Sequence, residues 1–71
     1  MSTKSPNWND LRIFLEVARA GTLSGAAAKL RVDHSTISRR IAHLEAILNA
    51  PVFERDHQGF HITVKGRELL E

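Results

Sequence analysis

The side chain with the sharpest chemical capability in this sequence is Arg39, whose planar guanidinium presents a rigid fork of donors to paired acceptors. It lies in a stretch, about residues 34–48, where Ile37, Ile41, Leu44 and Leu48 recur at i, i+4, i+7 and i+11, the core-facing stripe of a helix. At about 100° per residue the opposite face carries Ser35, Ser38, Arg39, Ala42 and Ala46. Exposed helix faces are usually dressed with Glu, Lys and Gln; this one is small and polar around a single arginine. Such a face can approach a surface closely, and the major groove of B-DNA is about as wide as a helix. The same composition fits a plain Ala/Ser-rich solvent face, so the face alone leaves both readings open.

Other chemistry finds less support. Four histidines are present, but His57 and His61 stand four apart across an expected hairpin turn, and His34 and His43 are nine apart. With no cysteine to complete a ligand set, no metal site is expected, and no disulfide can staple the fold. Ser, His and Asp occur without catalytic spacing, and 71 residues around a helical core offer little room for a catalytic pocket, so neither an enzyme nor a cofactor site is expected. Apolar residues at 42% and charged residues at 25% describe a globular domain rather than a disordered tail. No apolar run approaches the roughly 20 residues of a membrane span, and the start lacks a signal-peptide core, so a cytoplasmic location is expected. Net charge is +2, unevenly placed: residues 24–47 carry Lys29, Arg31, Arg39 and Arg40 against Asp33 and Glu45, whereas residues 48–71 are slightly acidic. The basic excess therefore coincides with the Arg39 helix.

The elements that must position this helix can be read along the chain. Asn7 caps a first helix over residues 8–20, with Asp10 suited to its N-terminal turn and Leu11, Phe14, Leu15 and Ala18 as its apolar stripe. Gly21 stops it. Ser24 caps a short second helix ending at Leu30, in which Gly25, Ala26, Ala27 and Ala28 permit close helix approach. After a turn at residues 31–33, Asp33 caps the third helix, and Asn49 and Pro51 end it. Residues 52–55 and 60–62 read as strands around an Asp56-His57-Gln58-Gly59 turn, and Thr63 caps a last helix containing Leu69 and Leu70. Trp8, Phe14, Phe53 and Phe60 are expected in the core, and Glu45 is paired with Arg12. Three helices, a hairpin and a fourth helix make a mainly α protein, a winged helix-turn-helix. Residues 1–7 are its lead, 8–62 its body and 63–71 the start of a linker helix.

Four runs narrow this further. Leu23-Ser24-Gly25-Ala26-Ala27-Ala28-Lys29-Leu30 resembles the Ser-x-Ala-Ala-x-x-Leu run of LysR-type bacterial transcription regulators. Ser38-Arg39-Arg40-Ile41-Ala42-His43-Leu44-Glu45 is similar to their Ser-x-x-Ile-x-x-Leu-Glu signature, Pro51-Val52-Phe53-Glu54-Arg55 to their Leu-Phe-x-Arg strand, and Ile62-Thr63-Val64-Lys65-Gly66 to the Leu-Thr-x-x-Gly opening of their linker helix. The resemblance implies a homodimer formed through the linker helix, here Leu69 and Leu70, on pseudo-palindromic double-stranded DNA. A tetramer is open to a full-length protein, and a co-inducer would bind a C-terminal domain that these 71 residues do not include. The chain departs from the family pattern at His34-Ser35, where Gln-Pro is usual, at Asn49 for glycine, and at Gln58 for a wing-tip arginine.

On this reading Ser35, Ser38 and Arg39 contact base edges, with His34 at the rim; Arg39 forks to guanine, and the serines let the helix sit deep. Thr36 and Arg40, on the flanks, are backbone candidates. Ser24 aims the N-terminus of the second helix at a phosphate, and Arg55, His57 and Gln58 let the wing touch the adjacent backbone. A winged helix serving protein–protein contact is the competing class, although the Arg39 face lacks the aromatic and Met anchors of interfaces.

Overall fold

The structure, a computed structural model, describes residues 8–57 and 59–70. The lead with its Asn7 cap, Gln58 at the wing tip, and Glu71 lie outside the described residues. The order is α1 (Trp8–Ala20), α2 (Leu23–Leu30), α3 (His34–Leu48), β1 (Phe53–Asp56), β2 (Gly59–Ile62) and α4 (Val64–Leu70). This is the expected mainly helical chain with a two-stranded wing.

The helix ends follow local chemistry. Gly21 takes φ +80 after α1, and Arg31 and Asn49 both adopt the left-handed conformation to close α2 and α3. Asp33 caps α3 as expected, its carboxylate accepting from the Ser35 N–H. The cap of α2 is Thr22, not Ser24: the Thr22 hydroxyl accepts from Gly25 N–H at 2.9 Å. A helix that begins two residues earlier leaves Ser24 in the first turn, exposed.

The three helices bury Ile13, Phe14, Val17, Ala26, Ala27, Ile37, Ile41 and Leu44 together with Val52. On α3 the expected stripe is buried at Ile37, Ile41 and Leu44, and Leu48 at its end is partly buried against the core. On α1 the buried face is Asp10, Ile13, Phe14 and Val17, one residue out of register from the expected stripe; Leu11 and Leu15 pack on the flank of the core. The stripe was hidden because its first position is a carboxylate. Trp8, expected inside, is 73% exposed: it lies off the Asp10, Ile13, Phe14 and Val17 face that α1 buries.

The wing is antiparallel, pairing Phe53 with Ile62, Glu54 with His61, Arg55 with Phe60 and Asp56 with Gly59. Both strands reach one residue further into the turn than expected, and β1 starts one residue later, because Val52 is held elsewhere. Phe14, Phe53 and Phe60 form an aromatic chain with centroid spacings of 5.2 and 5.0 Å, which ties the wing to α1.

Val52 is the junction of α3, the wing and α4. Its N–H donates to Glu45 Oε2 at 2.9 Å, which corrects the expected pairing of Glu45 with Arg12. Its carbonyl accepts from Thr63 N–H at 3.0 Å, and its side chain is fully buried. The Thr63 hydroxyl donates to Pro51 O at 2.7 Å and accepts from Gly66 N–H at 3.1 Å, capping α4 as expected. Gly66 packs against this segment so closely that a Cβ there would lie 2.3 Å from Val52 O and 2.7 Å from Ile62 Cγ1. Backbone cannot yield as a side-chain tip can. Gly66→Ala is therefore expected to destabilise the domain by about 1–3 kcal/mol, the usual cost of overpacking, read as a lower urea midpoint. An unchanged midpoint would show that α4 lifts away at no cost.

Candidate nucleic-acid interface

The outer face of α3 carries Ser35, Arg39, Ala42 and Ala46 as expected, whereas Ser38 is drawn half-way in. Burying Ile37, Ile41 and Leu44 turns His34, Ser35, Arg39, Ala42 and Ala46 outward, with Thr36, Ser38 and Arg40 half-buried at the edges. Ser38 lies in a cleft of about 190 Å³ with Leu23, Ile41, Ala42, Glu45, Phe53 and Phe60, between α2, α3 and the wing. Sequence-distant parts are thereby brought beside one helix face: the first turn of α2 and the two wing aromatics.

At the start of α3, Ser35 has a second task. Its hydroxyl donates to Asp33 Oδ2 while its N–H reaches the same oxygen at 3.3 Å. These two bonds, the side-chain one foremost, hold the Asp33 carboxyl below its ordinary pKa, and the neighbouring His34 adds to the effect. The α3 N-terminus is thus already occupied by an ionised carboxylate. The oxygen of Ser35 remains as an acceptor on the outer face.

The flanks are less simple than the sequence suggested. Arg40 Nη1 donates to Asp10 Oδ1 at 3.2 Å, and His43 Nδ1 pairs with Asp10 Oδ2. Asp10 itself is completely buried. Sequence reasoning placed Asp10 only at a helix N-terminus and gave His43 no role. The available signal was three polar residues that share the α1–α3 side of two amphipathic helices.

On the wing, Arg55 lies 5.6 Å from the centroid of the Phe60 ring opposite it, a cation–π contact that keeps its charge near the turn. His57 is exposed in the turn. Leu69 and Leu70 part company on α4: Leu69 packs against the core, while Leu70 is exposed. Only Leu70 of the two is left to an α4 seam.

Residues 8–67 match the family model described as bacterial regulatory helix-turn-helix protein, lysR family. The chain is similar to the HTH-type transcriptional regulator TcbR of Pseudomonas sp. (strain P51), 38% identical over 64 residues that make up 90% of this chain and 22% of TcbR. It is also similar to the HTH-type transcriptional regulator CzcR of Bacillus anthracis, 41% identical over 61 residues, 86% of this chain and 21% of CzcR. The chain thus spans about a fifth of the length of these relatives. Among solved structures, the CbnR_DBD-DNA complex superposes with a TM-score of 0.82 at 36% identity, over 90% of this chain and 74% of that one.

The wing also carries a titratable pair. His61 Nε2 lies 3.1 Å from Asp56 Oδ2, and that bond, with smaller contributions from the Ile62 backbone and from the Asp56 and Glu54 charges, raises the His61 pKa above its ordinary 6.5. A histidine with a raised folded-state pKa contributes stability that is fully present below its unfolded value and lost as pH rises through the folded one. An NMR titration is expected to place the His61 midpoint above 6.5, and Asp56→Asn to bring it down. Coincident midpoints in parent and variant would dissolve the pair.

Proposed function

The chain belongs to the lysR family of bacterial regulatory helix-turn-helix proteins, and on that footing we propose that it binds double-stranded DNA sequence-specifically, as the DNA-reading part of a transcriptional regulator. The observation that carries this reading is the outer face of α3. His34, Ser35, Arg39, Ala42 and Ala46 are exposed along its centre, so Arg39 projects from otherwise small neighbours, with Arg40 and His43 at the α1 edge. A helix of this profile fits the major groove, where a bidentate arginine on guanine O6 and N7 is the commonest specific contact. The likeness to the CbnR_DBD-DNA complex supports DNA as the partner.

Arg39 forks to guanine in this reading. Ser35, its hydroxyl hydrogen committed to Asp33, accepts from an amino group on a base edge, and Ser38 and His34 complete the reading set. Thr36 and Arg40 meet phosphates at the flanks. Ser24 brings the first turn of α2 against another, now as a first-turn residue rather than a cap. Arg55 and His57, with Gln58 outside the described residues, touch the backbone beside the groove.

Two copies on a pseudo-palindromic site, joined through the helix that α4 begins, are the arrangement we propose for the regulator. Leu70 would be one of the seam residues. Co-inducer binding and a tetramer would need a C-terminal domain, and none is proposed for these 71 residues. The family's regulators are transcription factors rather than enzymes, and we propose the same for this chain, in the cytoplasm of a bacterium.

Selection from random duplex DNA, followed by affinity measurements at several salt concentrations, tests the reading. Binding should select one half-site and weaken steeply with salt, because phosphate contacts release counterions. A protein–protein module would do neither. Arg39→Ala is expected to relax preference at one base pair per half-site by about 1–3 kcal/mol. A uniform loss across all sequences would instead assign Arg39 to phosphate.

A further inference from the structure

The buried carboxylate of Asp10 is not explained by the fold alone. Replacing a buried ion pair by apolar packing is often neutral or stabilising, so its place in the core calls for a physical use. Asp10 is fully buried and faces the α1 side of α3, where each of its oxygens has one partner: Oδ1 takes Arg40 Nη1 at 3.2 Å and Oδ2 takes His43 Nδ1. A carboxylate with both oxygens available commonly takes the fork of an arginine in two parallel bonds. Here His43 holds the second oxygen. The Arg40 guanidinium is therefore fixed at one nitrogen, with its other donors uncommitted to Asp10.

What remains of Arg40 reaches the surface. Its side chain is 40% exposed and that of His43 is 53% exposed. Arg39, Arg40 and His43 together line a cleft of about 330 Å³. The tethered guanidinium thus adjoins the face that carries Arg39. A phosphate at this edge would meet a cation whose position is already set, so less side-chain freedom is lost on contact. An exposed, untethered arginine would have to be ordered at that moment.

We propose that Asp10 is a positioning residue for DNA binding: shared between Arg40 and His43, it holds the Arg40 guanidinium at the α1 edge of α3 to take a phosphodiester of the duplex beside the base read by Arg39. This rests on the DNA-binding reading above. It separates the two adjacent arginines by task, Arg39 for sequence and Arg40 for backbone, because only Arg40 lies on the α1 side where a buried carboxylate can tether it.

The decisive variant is Asp10→Asn, since electrostatics and positioning predict opposite results. Removing a negative charge from a protein that binds a polyanion should by itself tighten binding. If Asp10 positions Arg40, binding to the selected duplex instead weakens by roughly three- to tenfold. Arg40→Gln is expected to weaken binding by about tenfold and to lower the slope of log K against log salt by about one. The double variant should bind no more weakly than Arg40→Gln alone, because Asp10 acts through Arg40. Circular dichroism and melting of each variant establish that it is folded. A folded Asp10→Asn protein that binds as tightly as the parent, or more tightly, overturns the proposal. So does Arg40→Gln with the parent's salt slope. Should a variant fail to fold, the parent decides: the Arg40 side-chain NMR signals must shift when duplex is added, and unchanged signals overturn the proposal. A parent with no salt-dependent duplex binding would defeat the DNA reading itself, an outcome distinct from a binding parent with an indifferent Asp10→Asn.

Discussion

The backbone of Val52 is the constraint on which the rest of the molecule hangs. Its N–H is taken by Glu45 near the end of α3, its carbonyl by the Thr63 N–H at the mouth of α4, and its side chain lies in the core. A buried backbone donor or acceptor without a partner costs about 1–3 kcal/mol, so both groups must be met. Meeting them from two different helices fixes the wing between those helices. Gly66 completes the arrangement by omitting the Cβ that would strike the Val52 carbonyl. The direction in which α4 leaves the domain is set at the same point as the angle of the wing beside α3.

A second, electrostatic fixture lies on the other side of α3. Asp10 joins the first turn of α1 to the middle of α3 through Arg40 and His43. The three-helix core needs α1 against α3 for burial, which Ile13, Phe14 and Val17 already provide. The carboxylate adds a directional bond to that packing. Apolar contacts tolerate small rotations of a helix about its axis, whereas a carboxylate holding two partners does not. The face that α3 shows to solvent is thereby held between Glu45 and Val52 on the wing side and Asp10 on the α1 side.

Much of this was legible in advance. The α3 stripe is long, regular and uninterrupted by charge, so periodicity alone gave its orientation, and with it the outward placement of Ser35, Arg39, Ala42 and Ala46; Ser38, expected with them, is half-buried because α2 and the wing close over its edge of the helix. The Asp33 and Thr63 caps and the Gly21 and Asn49 stops also read directly, because their chemistry is local. The α1 register did not, since a buried aspartate scores as exposed in any pattern of apolar residues. The Glu45 partner was missed for a related reason: a backbone N–H seven residues on leaves no mark in the side-chain sequence. Thr22 and Ser24 are equally good caps on paper, and the helix starts at Leu23 with the Thr22 hydroxyl on the Gly25 N–H.

The sequence by itself determined the order of elements, the outward face of α3 and the family resemblance, because each rests on interactions within a few residues or on a short run of residue types. The tertiary structure alone decided how the faces are joined: that Asp10 is buried under Arg40 and His43, that Glu45 and Thr63 both bond the backbone of Val52, and that Leu69 turns inward while Leu70 stays out. Asp10 and His43 stand 33 positions apart, and nothing local in either helix names the other. Only when apolar burial has brought α1 against α3 does a charge that is costly in the core find the two donors that make it tolerable.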